Sequence, residues 1–125
     1  MSPDPEADLE RLRAIAMALP LATEKISDGA PVFYIEKGKT FAWFSHDYHG
    51  NRITAVIVRV GSLDEHEMLV EANPELYHRA AYFRAADWVG IRLDVDDIDW
   101  DHVADRVATS WELAAPRRLR ELGGR

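Results

Sequence analysis

The stretch Val32-Phe33-Tyr34-Ile35-Glu36-Lys37-Gly38-Lys39-Thr40-Phe41-Ala42-Trp43-Phe44-Ser45 decides the fold of this chain. Both arms, Val32 to Glu36 and Thr40 to Ser45, are rich in β-branched and aromatic side chains, which suit a pleated, half-buried surface. Lys37-Gly38-Lys39 supplies a tight turn between them, so the segment reads as a β-hairpin with a basic tip. Next, Asp47-Tyr48-His49-Gly50-Asn51 reads as a second loop and Ile53 to Val60 as a third strand. That strand is apolar on both faces except for Thr54 and Arg59, the pattern of a central position in a sheet. Three strands in series predict an antiparallel meander.

Helical spacing brackets the meander. Asp4 before Pro5 has the pattern of an N-cap followed by the first helical position, where proline's missing N–H is not needed. Leu9, Leu12, Ile15, Ala16 and Leu19 then form one apolar stripe that Pro20 ends. Ser62 and Glu65 have the spacing of a capping box, ahead of a short helix in which Met68, Leu69 and Ala72 are apolar and which stops before Pro74. From Trp88 to Leu93 the residues alternate, with Val89, Ile91 and Leu93 on one side and Trp88, Gly90 and Arg92 on the other, as in a half-buried strand of the same sheet. Trp100, Val103, Ala104, Val107, Ala108 and Trp111 keep helical spacing behind an Asp99 cap and ahead of Pro116. Pro116 to Arg125 reads as a short basic tail. The predicted order is helix, meander, helix, strand, helix: one α+β domain over residues 1–125, an antiparallel sheet packed on amphipathic helices.

Composition narrows the function classes. Hydrophobic residues are 47% of the chain and charged residues 30%, enough apolar material to offset chain entropy and to exclude a disordered segment. No cysteine is present, which excludes disulfides, thiolate nucleophiles and cysteine-ligated metals, and suits a reducing cytoplasm. The acidic, proline-rich start does not read as a secretory signal, and no apolar run approaches membrane-spanning length, so no membrane partner is expected. A net charge of -7 opposes broad attraction to phosphate backbones; a nucleic-acid role needs a local basic patch.

Catalytic motifs are absent from the sequence. His66-Glu67 is followed by Val70 where a zincin requires histidine, and Ser45 and Ser110 lack nucleophile-elbow glycines. Asp94, Asp96, Asp97, Asp99 and Asp101 lack the spacing of a calcium loop and read as caps and solvated loop acids. His46 and His49 read as loop histidines without a third ligand. No catalytic residue, metal or cofactor is expected.

Two surfaces remain. The tip Lys37 and Lys39, with Arg52, Arg59, Arg117 and Arg118, is a candidate footprint on DNA phosphates. Trp43, Trp88 and Arg92 are candidates for a face that takes a protein partner, a second copy or a small ligand, if helices cover only the other face.

The segment Asp87-Trp88-Val89-Gly90-Ile91-Arg92-Leu93-Asp94, then Asp99-Trp100-Asp101-His102-Val103-Ala104, then Ala114-Ala115-Pro116-Arg117-Arg118-Leu119 resembles the carboxy-terminal signature of the YjbR/MmcQ family. Leu19-Pro20 and Asp28-Gly29-Ala30-Pro31-Val32-Phe33 are similar to earlier parts of the same pattern, so the resemblance covers nearly the whole chain. Ala85-Ala86-Asp87 departs from the family's apolar–glycine start to its fourth strand. The resemblance implies a frataxin-like (CyaY-like) sheet with helices on one face, a double-wing motif, and DNA as a partner.

Overall fold

A computed structural model describes residues 4–47, 52–79 and 87–121. The chain runs α1 (Pro5–Met17), β1 (Ala22–Ser27), β2 (Ala30–Ile35), β3 (Thr40–His46), β4 (Thr54–Arg59), α2 (Leu63–Ala72), β5 (Tyr77–His78), β6 (Trp88–Arg92), α3 (Trp100–Ala114) and α4 (Arg117–Glu121). The six strands form one antiparallel sheet in the order β1-β2-β3-β4-β6-β5, so the predicted α+β class holds and β4 is central as its apolar faces required. The predicted three-strand meander, β2-β3-β4, is extended at both edges.

The extra strands have local causes. β1 and β2 are joined by Asp28-Gly29, both with positive φ (52° and 78°), the backbone of a two-residue hairpin turn whose twist matches that of its strands. β5 has only two residues and is held by pairing of Tyr77 with Ile91 and His78 with Gly90. Two further expectations are corrected. The tail past Pro116 winds into the short helix α4, with Leu119 packed on the core. Met68 is 61% exposed, because α2 turns Leu69 and Val70, not Met68, toward the core. In the capping box, Ser62 accepts from the Glu65 N–H at 3.1 Å, whereas the Glu65 carboxylate accepts from Gly61 at 2.6 Å, one residue earlier than the motif predicts.

One sheet face carries the core. Phe33, Ala42, Val58 and Val89 lie in one row, with Phe44, Val56, Ile91 and Tyr77 in the next, under Leu12 and Ala16 of α1 and Val103, Val107 and Trp111 of α3. Each fully buried valine, leucine, isoleucine or phenylalanine among them stabilises the fold by roughly 1.5–3 kcal/mol. Arg13 of α1 clamps Glu24 of β1 through two bonds of 2.7 and 2.9 Å, and these bonds hold the Glu24 carboxyl below its usual range.

The hairpin that decides the fold contains an irregularity. Phe33 pairs with Ala42 but Tyr34 pairs with Thr40, so Phe41 is an extra residue on β3, a β-bulge. The Phe41 carbonyl accepts from the Ser110 hydroxyl, the same Ser110 oxygen accepts the Arg59 N–H at 2.8 Å, and the Thr40 carbonyl accepts from Arg59 Nε at 2.8 Å. Ser110 is fully buried. Ser110→Ala leaves the Phe41 carbonyl and the Arg59 N–H without this partner, and urea unfolding is expected to show a loss of about 1–3 kcal/mol. A change within error would mean the bulge is satisfied without α3.

Candidate functional site

The helix-free face of the sheet is built by strand register. Val32, Trp43, Ile57, Gly90 and His78 form one row across β2, β3, β4, β6 and β5. Arg59 pairs with Trp88 on one side of that row and Ala55 with Arg92 on the other. Trp43, Trp88 and Arg92 therefore share a face, the one opposite α1 and α3, as the alternation predicted.

These groups are fixed by their neighbours. The Arg59 guanidinium stacks 4.6 Å from the Trp88 ring centre. Arg92 makes a bidentate pair with Asp94 at 2.9 and 3.0 Å, and Asp94 also accepts the Thr54 N–H at 3.3 Å. Partial burial pushes the Asp94 carboxyl up, but the Arg92 and Thr54 bonds outweigh it and hold the group below its usual range. His78 lies directly over Gly90: a Cβ at position 90 would come within 2.1 Å of the imidazole, so only glycine leaves room for the ring. Burial, and then the positive charge of Arg92, push the His78 imidazole below its ordinary pKa, with Asp94 opposing. A cavity of about 450 Å3 opens beside this face, lined among others by Leu9, Pro31, Trp43, Phe44 and Ile57.

The candidate cations divide between the two ends of the sheet. The β2–β3 turn with Lys37 and Lys39 lies at the end where β4 finishes and where Ser110, in the last turns of α3, meets Phe41 and Arg59. α4 follows α3 directly, which brings Arg117 and Arg118 to that same end; Arg117 Nε is 3.9 Å from Glu121. Within the turn it is Lys37, not Gly38, that takes positive φ (60°). Arg52 stands at the opposite end, its N–H bonded to Asp47 at 2.8 Å. Arg59 sits near the basic end but is committed to Thr40 and Trp88, and its burial lowers the pKa of the guanidinium, with Asp87 opposing. Tyr48, His49, Gly50, Asn51, Tyr82, Phe83, Ala85, Ala86 and Arg125 lie outside the described residues.

Asp99 caps α3, accepting from the His102 N–H at 3.1 Å. Among the described residues no three His, Asp or Glu side chains come together as a metal-binding set. Sequence reasoning missed His78 and the pair Tyr77–His102, whose hydroxyl and Nε2 are hydrogen-bonded, because both depend on a two-residue strand too short to leave a pattern.

The sequence model of the YjbR family matches residues 17–113. No curated protein matches the chain. Among solved structures, the Deinococcus radiodurans protein DR2400, described as carrying a DUF419 domain, superposes with a TM-score of 0.71 at 19% identity, over 94% of each chain. At that identity the likeness speaks to the fold.

His78 gives this face a pH dependence with a definite sign. The unfolded imidazole titrates near pH 6.5 and the folded one lower, so the unfolded chain takes up the proton first. The stability from neutral His78 is present above about pH 6.5 and declines as pH falls toward the lower folded value. Urea unfolding of the wild type and His78→Phe between about pH 7.5 and 5.5 is expected to show the steeper decline in the wild type; parallel curves would remove His78 from the account.

Proposed function

The chain belongs to the YjbR family, and from that premise we propose that it is a noncatalytic, cytoplasmic DNA-binding module of the double-wing type. The observation that carries this reading is the gathering of Lys37, Lys39, Arg117 and Arg118 at one end of the sheet. All four are exposed, on a turn and a short helix at that end, where cations can reach a phosphate backbone. Arg59 supports this surface from behind by fixing the bulge and Trp88, and Arg52 plays no part in the footprint. No described helix is long and apolar enough to cross a membrane.

With a net charge of -7 the rest of the molecule repels DNA, so binding is weak and strongly salt-dependent. Four phosphate contacts set an upper limit of roughly -4 on the slope of log affinity against log salt. Fluorescence anisotropy with a labelled duplex is expected to show micromolar binding at low salt, weakened about tenfold or more by Lys37→Glu with Lys39→Glu, at unchanged stability. An unchanged affinity would sink the wing assignment.

A second reading rests on the cavity beside Trp43. The face carrying Trp43, Trp88 and Arg92 would then take a small ligand, a protein partner or a second copy of the chain. Tryptophan fluorescence that shifts with protein concentration or added partner, and loses the shift in Trp43→Phe, would favour it over DNA; a spectrum indifferent to both would dismiss it.

A further inference from the structure

A second cavity, of about 520 Å3, lies where the end of α2, the strand β5 and the loop into α3 meet. Its volume falls in the range of small-molecule sites. Leu69 and Ile98 contribute apolar wall, and both also pack against the hydrophobic core, so the wall is anchored. The polar part of the lining has one sign: four carboxylates, Glu75 and Asp97 among them, and no lysine or arginine.

The cavity also holds a built polar pair. Tyr77 is 4% exposed, pinned by its register with Ile91, and its hydroxyl bonds Nε2 of His102, whose ring meets the phenol edge-on at 5.8 Å between centres. Burial pushes the phenol's pKa up, Arg106 opposing and Glu65 adding, so the hydroxyl keeps its proton. With either direction of that bond the phenol oxygen keeps at least one lone pair, which accepts a further hydrogen bond.

We propose that this cavity is a binding site for a small organic cation, an ammonium head on a short apolar body. The body lies on Leu69 and Ile98, and the head takes hydrogen bonds from neither wall but gives them, to the Tyr77 oxygen and the rim carboxylates. An anion meets four like charges. A bare metal ion finds no set of three ligands among the described residues. A purely apolar ligand covers the carboxylates and the Tyr77–His102 pair without replacing their hydration. An amphiphilic ammonium ion satisfies both parts of the lining.

The test is an amide-resolved NMR titration of the full chain with n-hexylammonium, and with hexanol and hexanoate as neutral and anionic counterparts. Saturable shifts at Leu69, Ile98 and His102 are expected, with hexylammonium binding about tenfold or more tighter than hexanoate. Glu75→Gln with Asp97→Asn alters two exposed acids and is expected to weaken hexylammonium about fivefold, the effect of partly solvated charge pairs. Leu69→Trp, which fills the cavity, is expected to abolish the shifts while the rest of the spectrum keeps its native dispersion. Hexanoate binding as well as hexylammonium, shifts that map elsewhere, or an affinity untouched by the double neutralisation would each overturn the proposal.

Discussion

The bulge at Phe41 is the constraint on which the rest of the sheet depends. One extra residue on β3 turns two consecutive carbonyls, those of Thr40 and Phe41, toward side-chain donors, and a buried carbonyl without a partner is costly. Ser110 and Arg59 take them. Ser110 anchors the last turns of α3 to β3 and β4 together, and Arg59 ties β4 to β3 by its side chain while its guanidinium covers Trp88 on β6. Helix layer, hairpin and central strands are therefore registered at one point. Trp111, the next residue on α3, extends the lock by donating to the Pro20 carbonyl at 3.0 Å, which fixes where β1 begins.

That lock also engages an arginine that the sequence offers as a phosphate ligand. A strand position carrying a lone cation between apolar neighbours looks like a solvent-facing contact, and Arg59 does face away from the helices. Yet its Nε serves a backbone carbonyl 19 residues earlier in the chain, a partner that no local spacing announces. The cations left for a ligand are those on turns and helix ends, where the backbone's own needs are already met.

Legibility followed the same division between local and distant causes. The N-caps Asp4, Ser62 and Asp99, the strand alternation from Trp88 to Leu93 and the buried stripe of α3 all express rules that act within a few residues, and all are present in the fold. β1 was within reach: Asp28-Gly29 is a strong two-residue hairpin signal, hidden because Thr23-Glu24-Lys25 beside it is polar for an edge strand. β5, the Tyr77–His102 pair and the seating of His78 over Gly90 were not within reach. Each is imposed by β6, which supplies partners that a two-residue segment could not specify alone.

The charges are sorted along the sheet axis. Lys37, Lys39, Arg117 and Arg118 lie at the end where α3 terminates, whereas Asp94, Asp96, Asp97 and Asp99 lie at the end where α3 begins. Each group stands at the terminus of α3 whose partial charge it complements, cations at the carboxy end and carboxylates at the amino end. One helix thus complements both clusters. A polyanion approaching that end meets four local cations before it meets the net charge of -7, whose effect falls off over a Debye length of about 8 Å in physiological salt. The opposite end presents carboxylates beside a partly apolar cavity, so the two ends of one small fold differ in the sign of the charge they offer.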